Sequence, residues 1–442
     1  MDQVSSDGFL DNVFALSDNN TDVKTEVVAG ITTFMTMAYI IIVNPTILSD
    51  AGMPFEGVFI ATVAGIILGT LCMAFLTNYP FALASGMGLN AFFAYTVVGQ
   101  MGVAWQVALG IIFIEGILFI ILSVTRFREM VVNSIPMCLK AGISTGIGLF
   151  IAFIGFQNAG IIQPYEATMV TLGEIFSGEG LVAAVGLVAA GIFYVRKVKG
   201  ALLLGIIVAT LFGFINGVTS LPEGIAAAPS MADWSEVLFE LDIGSVFQFG
   251  MIAVIISFLF VDLFDTAGTL VGVSQQAGYL DEEGNLPKAS RALLSDAIGT
   301  TGGALFGTST VTTYIESASG VAEGGRTGLT GVVVSGLFFL TLFFRPLVEM
   351  VPGAATAPAL ILVGALMMTN ITKIEWDDFS EVLPAFLTMV VMPFAYSISD
   401  GIAVGFIVYP LIKLFTGEGD EVHWLVYVLG ILFVTYFLWF RI

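Results

Sequence analysis

Residues 307–325, GTSTVTTYIESASGVAEGG, are the most informative stretch of this chain about its fold. The stretch lies between long apolar runs, yet it holds seven Ser and Thr within 308–319 together with Glu316. Polar or irregular backbone at membrane depth is tolerated only inside protein or along a cavity. We therefore expect a short unwound or strand-like segment here, buried inside a helical membrane protein.

A second stretch of the same character, NYPFALASGMGLNAFFAYTVV at residues 78–98, carries Pro80, Gly86 and Gly88 before Asn90. Paired interrupted segments in matching places of two halves indicate a substrate site in membrane transporters. The alternative is that the small residues form helix-packing faces. Asn90 and Glu316 favour a site, because they add amide and carboxylate groups where the backbone is irregular. Open backbone groups and a half-helix N-terminus there suit a planar polar ligand.

The composition indicates a polytopic membrane protein. Hydrophobic residues make up 57% of the 442 residues and charged residues 11%, against about 25% charged in soluble domains. The mean hydropathy is +0.97. The chain has two cysteines, Cys72 and Cys138, and one histidine, His423. These numbers exclude a disulfide framework, histidine triads and histidine-rich metal sites in the membrane core.

The net charge of −21 comes mostly from acids outside the apolar runs. They cluster in the N-terminal tail and in two loops: Asp2, Asp7, Asp11, Asp18, Asp22 and Glu26; Glu223, Asp233, Glu236, Glu240 and Asp242; Asp281, Glu282 and Glu283. Such surfaces do not favour nucleic acid as a partner. They are compatible with a halophilic source, where carboxylates keep the surface hydrated, and equally with ordinary acidic loops.

Hydropathy predicts fourteen membrane spans, each near the 17–25 residues that a crossing helix needs. They lie at 27–44, 57–77, 80–98, 104–124, 140–161, 180–195, 200–216, 245–272, 291–306, 308–323, 328–348, 356–369, 382–398 and 401–416. With a cytoplasmic N-terminus, nearly all Lys and Arg fall in cytoplasmic loops, including Arg126 and Arg128; Arg345 does not fit. The apolar segment 422–442 is either a fifteenth crossing or a surface helix.

Fourteen spans around one long loop suggest two seven-span halves. Seven is an odd number, so halves of like fold would have opposite orientations, which is the inverted repeat of many secondary transporters. The predicted organisation is a cytoplasmic tail, a first repeat, an extracellular acidic loop, a second repeat and a C-terminal segment: 1–26, 27–216, 217–244, 245–416 and 417–442.

Carboxylates inside predicted spans are candidate functional groups. Asp262, Asp265 and Thr269 share one helix face by their spacing, and intramembrane acids are functional by default. The alternative is a protonated, hydrogen-bonded structural acid, and for Glu115 the two interpretations are balanced. Two acids at one cavity do not readily ionise together, which favours proton coupling. Asp296 is expected near a span end, where an acid carries a smaller penalty.

Four motifs resemble one known family. They are GITTFMTMAYIIIVNPTIL, GMGLNAFFAYTVV, DLFDTAGTLVG and GTSTVTTYIESASGV, in this order along the chain. Together they resemble the AzgA-like purine permeases, a branch of the nucleobase–cation symporter-2 (xanthine/uracil permease) family. The resemblance implies a core domain (spans 1–4 and 8–11), a gate domain (spans 5–7 and 12–14), and proton-coupled uptake of hypoxanthine, guanine and adenine.

The resemblance also implies site residues. Asn90, Asp265 and Glu316 match the polar substrate-site positions of the family, and Asp265 stands where the uracil branch has a glutamate. That branch has a histidine where this chain has Thr269, so a carboxylate, Asp265 with Glu316, would carry the proton. The neighbouring substrate-site candidates are Thr313, Ser317 and the ring of Phe264, with Asp262, Thr269 and Ser85 as secondary candidates.

Purine chemistry agrees with these residues, because a carboxylate accepts from ring N–H groups and an amide both donates and accepts. The alternatives are a uracil, xanthine or small-anion carrier of the same fold, with sodium as another coupling ion. Acids at the site argue against anions. A channel would not need paired interrupted helices, and an intramembrane aspartyl protease would need two aspartates on neighbouring helices, whereas Asp262 and Asp265 share one helix. We expect a plasma-membrane carrier without a cofactor, compatible with a homodimer.

Overall fold

The computed structural model describes residues 8–124, 134–176, 178–222, 224–248, 251–281 and 286–440. Several residues named above lie outside this part: Asp2, Asp7, Arg126, Arg128, Glu223, Glu282, Glu283 and the side chain of Phe264. The expected helical, polytopic class is confirmed. In the described ranges, nine helices or helix pairs are long and apolar enough to cross a membrane.

Most of the described residues form α-helices. In the first half they are α1 (Phe9–Phe14), α2 (Val23–Met37), α3 (Ile40–Asp50), α4 (Phe55–Thr77), α5 (Met87–Ala91), α6 (Trp105–Val124), α7 (Met137–Asn158), α8 (Gly178–Val195) and α9 (Ala201–Ile215). Then come α10 (Met231–Ser235), α11 (Ile243–Gln248), α12 (Ile252–Ala277), α13 (Ala289–Phe306), α14 (Ser317–Ala322), α15 (Gly328–Thr341), α16 (Arg345–Glu349), α17 (Gly353–Met367), α18 (Phe379–Ala395), α19 (Ile398–Thr416) and α20 (Trp424–Phe440).

Short irregular elements complete the chain. A π-helix continues α5 (Phe92–Gln100), and 3₁₀ turns lie at Leu342–Phe344, Met368–Lys373 and Gly419–Glu421. The four strands are β1 (Leu83–Ser85), β2 (Ile162–Tyr165), β3 (Met169–Leu172) and β4 (Val311–Thr313). β2 and β3 form an exposed hairpin, whereas β1 and β4 lie in the interior.

The pairing of β1 with β4 confirms the expected strand-like segments in spans 3 and 10. The strands are antiparallel, with Leu83 opposite Thr313 and Ser85 opposite Val311, and all six residues are buried. Each strand hydrogen-bonds to the backbone groups of the other. Few peptide groups are therefore left unpaired where the helices are interrupted inside the protein. Residues more than 220 positions apart therefore meet at the centre of the fold.

Glycines let two helices close around β4. A Cβ on Gly69 of α4 would lie 3.2 Å from Val311, and one on Gly299 of α13 would also lie 3.2 Å from it. At Gly303 the corresponding distance is 2.9 Å, which no real Cβ tolerates without a shift. The glycines in these two helices thus leave room for Val311 of β4, and the close packing fixes the position of the strand.

The helices pack as two sets. α7, α8, α9, α17, α18 and α19 pack mainly against one another, while α2, α4, α6, α12, α13 and α15 form the other set, which encloses β1 and β4. This grouping is compatible with a gate and a core. The fourteen-span count, the inverted repeat, the domain bounds and the side of the N-terminus stay predictions.

Arg345, which does not fit the positive-inside pattern, forms ion pairs with Asp233 and Glu349. Its Nη1 lies 2.6 Å from Asp233 in the acidic loop, and its Nε lies 2.9 Å from Glu349. The cation therefore stays beside the acidic loop because two carboxylates surround it. Within segment 422–442, helix α20 packs against α19 through the rings of Phe406 and Phe433, 5.8 Å apart.

Candidate functional site

Asn90 lies on α5, the short helix that follows β1. Its side chain is fully buried, and the hydroxyl of Ser309 donates a hydrogen bond to its Oδ1. Its amide nitrogen has no acceptor among the described residues. A buried N–H without an acceptor is unfavourable by roughly 1–3 kcal/mol, so this donor is available to a bound ligand.

Glu316 lies directly before α14, the short helix that follows β4. The phenol of Tyr39 donates a hydrogen bond of 2.8 Å to its Oε1. Tyr39 is almost fully buried at the break between α2 and α3, so its rigid ring fixes the carboxylate from one side. Sequence analysis did not single out Tyr39, although it is the one phenol in the first of the four motifs.

Asp265 lies on α12 and is only partly buried, unlike Asp262 three residues earlier. No described N–H or O–H group donates to its carboxylate. It is close enough to Glu316 and to the phenol of Tyr314 for direct electrostatic interaction. The structure therefore brings Asp265 and Glu316 together: among the described residues Glu316 has one donor, the Tyr39 phenol, and Asp265 has none. Thr269, one turn further along α12, is almost buried.

Three other candidates already have partners within the protein. The hydroxyl of Ser85 lies 3.2 Å from that of Thr308, while its carbonyl accepts a bond of 2.6 Å from the Tyr314 phenol. The hydroxyl of Ser317 accepts from the Ala82 N–H at 3.0 Å. The hydroxyl of Thr313 donates to the carboxylate of Asp296 at 2.9 Å. These side chains hold the two strands in register, and their contact with a ligand stays a prediction.

The expectation that Asp296 sits near a span end, with a small penalty, is wrong. Asp296 is fully buried two turns inside α13, behind β4. Its carboxylate accepts from the N–H of Thr313 at 2.7 Å, from the Thr313 hydroxyl at 2.9 Å and from the Thr266 hydroxyl at 2.9 Å. Three donors stabilise the buried acid, which in turn fixes the end of β4.

The helix face predicted for Asp262, Asp265 and Thr269 divides between two environments. Asp265 points toward Glu316 and Tyr314, whereas Asp262 is sealed against α6 and α13. Among the described residues, no group of three or more His, Cys, Asp or Glu is placed to hold a metal ion. The arrangement is thus a set of hydrogen-bonding groups around a short strand pair, suited to a polar organic ligand.

Comparison with known proteins gives the family. The family model Xan_ur_permease, described as a permease family, matches residues 24–404. The chain belongs to this permease family. It is accordingly a multi-pass membrane transporter and not an enzyme, and the nine candidate membrane spans found among the described residues agree with that assignment.

Three relatives match nearly the whole chain. A putative permease, MJ0326 of Methanocaldococcus jannaschii, is 51% identical, over 98% of this chain and 98% of its own. The guanine/hypoxanthine permease PbuO of Bacillus subtilis is 46% identical, over 95% and 98%. The adenine permease AdeP of Escherichia coli is 44% identical, over 98% and 96%.

A solved structure shares the fold. The transmembrane domain of a cyanobacterial bicarbonate transporter, BicA, superposes with a TM-score of 0.62 over 86% of this chain and 97% of its own. Its sequence is 15% identical, so the likeness concerns the architecture alone. A transporter fold and a permease family thus come from independent comparisons.

Proposed function

We propose that this protein imports purine nucleobases, with guanine, hypoxanthine and adenine as the substrates. Two full-length relatives support this substrate class, since they are named as guanine/hypoxanthine and adenine permeases at 46% and 44% identity. Identity of this degree across more than 90% of both chains favours a shared ligand chemistry over a shared fold alone.

The observation that carries the proposal is the pair of unfilled groups at Asp265 and Asn90. Asp265 offers carboxylate oxygens without a described donor, and Asn90 offers an amide N–H without an acceptor. Guanine and hypoxanthine present N–H donors beside carbonyl and ring-nitrogen acceptors. A ligand of this kind satisfies both groups at once, which a small anion cannot do beside Asp265 and Glu316.

Coupling to a proton forms the second part of the proposal. Asp265 and Glu316 take up one proton and share it before the purine binds, so a carboxylate oxygen of Asp265 stays free to accept from the base; sodium is the alternative coupling ion. The core set of helices then moves against the gate set and exposes the site on the other side of the membrane. A homodimer belongs to the same proposal and is tested by the mass of the detergent-solubilised particle.

The test is uptake of radiolabelled hypoxanthine, guanine and adenine by purine-transport-deficient cells that express the chain. Asp265→Asn and Glu316→Gln should each abolish saturable uptake, and a proton ionophore should abolish it in the unmodified protein. Glu323→Gln is the matched control, because Glu323 forms only an exposed ion pair with Lys199 and its loss should be nearly neutral. Uptake that needs sodium and survives the ionophore would keep the substrate and overturn proton coupling.

Absence of purine uptake from correctly inserted protein would contradict the substrate class. Competition by unlabelled uracil and xanthine separates the branches of the family in the same assay. Strong inhibition of labelled hypoxanthine uptake by uracil or xanthine would assign the chain to that branch, and no inhibition is expected for a purine carrier. Bicarbonate and sulfate should not compete, since the site contains carboxylates and no described cation acts on Asp265 or Glu316.

A further inference from the structure

Glu115 is a fully buried acid that the proposed substrate site does not use. It lies on α6 within the apolar run IIFIEGILFII, and its exposed fraction is 0%. None of the N–H and O–H groups in the described ranges donates to either of its oxygens. An ionised carboxylate in this setting would be strongly unfavourable, so the side chain needs a proton or a protonated neighbour.

The carboxyl group of Asp262, on α12, lies within hydrogen-bonding reach of Glu115. Asp262 is also fully buried, and its other contacts are long: 3.4 Å from the Thr266 hydroxyl and 3.3 Å from the Thr300 hydroxyl. Each hydroxyl has a single hydrogen and a closer acceptor. Thr266 donates to Asp296 at 2.9 Å, and Thr300 donates to a backbone carbonyl of β4 at 3.1 Å.

Among the described residues, Asp262 therefore has no hydroxyl donor of its own, and Glu115 has no donor at all. Two facing carboxylates would repel each other, whereas one proton between them satisfies both groups with a charge-assisted hydrogen bond. The charged groups that face the pair are Asp265 on the same helix and Asp296 on α13. Both are acids, and no described cation acts on the pair.

We propose that Glu115 and Asp262 bind one proton between them and form a proton-binding site separate from Asp265 and Glu316. The pair is joined to the substrate site through β4. Thr300 contacts Asp262 and the Val311 carbonyl, and Asp296 shares Thr266 with Asp262. A movement of β4 on substrate binding would change which acceptor these hydroxyls serve. The use of this proton for transport rests on the proposed function; its presence does not.

The presence of the proton is tested by infrared spectroscopy of the purified full-length protein at neutral pH. Glu115→Gln should remove the carbonyl stretch of one protonated carboxylic acid. Glu56→Gln, in the first turn of α4 and partly exposed, is the matched control and should leave the protonated band unchanged. Asp262→Asn, as an independent variant, should perturb the same protonated band. If the protonated-acid band of the unmodified protein is unchanged in both Glu115→Gln and Asp262→Asn, the proposal is overturned.

The use of the proton is tested in proteoliposomes with labelled hypoxanthine. Glu115→Gln should reduce uptake driven by an inward proton gradient about tenfold or more, since one charged hydrogen bond changes in the cycle. Exchange of internal for external hypoxanthine, which needs no net proton movement, should continue. Unchanged gradient-driven uptake would overturn the transport role. If the unmodified protein moves no purine at all, the proposed function fails while the infrared result still decides the proton site.

Discussion

Two buried glutamates, Glu26 and Glu115, show how differently the same side chain is accommodated in this fold. Both have an exposed fraction of 0%. Glu26 accepts four hydrogen bonds: from the N–H groups of Arg326 at 2.8 Å, Thr327 at 3.3 Å and Thr330 at 3.2 Å, and from the Thr330 hydroxyl at 2.6 Å. Glu115 accepts none from a described N–H or O–H group.

The difference teaches that burial alone does not determine what a membrane acid does. The Glu26 side chain, from the first turn of α2, accepts from free N–H groups at the N-terminus of α15. It therefore works as a structural clamp between α2 and α15. Glu115 faces another acid and is suited to hold a proton. The number of described hydrogen-bond donors to the carboxylate separates the two roles. It also predicts the order in which substitutions of these acids reduce stability.

Glu26→Gln should give the largest loss of stability. The amide keeps one acceptor oxygen but turns an N–H₂ group toward N–H donors, so several charged hydrogen bonds disappear together. We expect a loss of about 3 kcal/mol or more in the free energy of unfolding. Unfolding in mixed detergent micelles measures it, with Glu323→Gln as the control. Equal stability of the two variants would remove the clamp role.

Asp296→Asn should give the second-largest loss of stability, because three groups donate hydrogen bonds to the Asp296 carboxylate. We expect a loss of about 2 kcal/mol in unfolding free energy, since Asn can accept through only one oxygen. Purine uptake should fall as well, because the end of β4 is released. Asp18→Asn, at an exposed position, is the control in both assays. Normal uptake by a stable Asp296→Asn protein would show that β4 does not depend on this acid.

Tyr39→Phe should have a smaller effect on stability, about 1 kcal/mol, because it removes one donor from the partly exposed Glu316. Its main effect should be on transport, as a severalfold rise of KM for purine with protein levels unchanged. Tyr79→Phe is a matched control, since its phenol bonds only the Pro287 carbonyl at 3.3 Å. Identical KM values in the two variants would exclude a positioning role for Tyr39.

Glu115→Gln should have the smallest effect on stability, below about 0.5 kcal/mol, because the new amide N–H replaces the shared proton as a donor to Asp262. The comparison with Glu26→Gln uses the same chemical change at two equally buried positions. A loss at Glu115 as large as that at Glu26 would mean that Glu115 is ionised and stabilised by contacts absent from the structure described above.

The sequence predicts the local features of this fold well. Polar and glycine-rich composition was enough to locate the β1 and β4 segments, because such stretches cannot be lipid-facing helices. Asp265 and Glu316 were both named from the sequence, and the structure places them within electrostatic reach of each other. The ligand contacts of these residues stay predictions.

The partners of the buried acids could not be predicted. Glu26 meets Arg326 across 300 residues of chain, and Tyr39 meets Glu316 across 277. Periodicity gives the face of a helix but not which helix packs on it. For the same reason the sequence suggested a peripheral position for Asp296, since its distance from the span end says nothing about the strand that lies behind it.

The most direct test of the substrate site is equilibrium binding of labelled guanine and hypoxanthine to the purified protein and to Asp265→Asn. The account predicts saturable binding to the unmodified protein and a weakening of about tenfold or more in the variant, because Asn offers one acceptor oxygen in place of two and cannot hold the shared proton. Glu323→Gln should bind like the unmodified protein. Equal affinity of Asp265→Asn and the unmodified protein would contradict the assignment of Asp265 as the purine-binding acid.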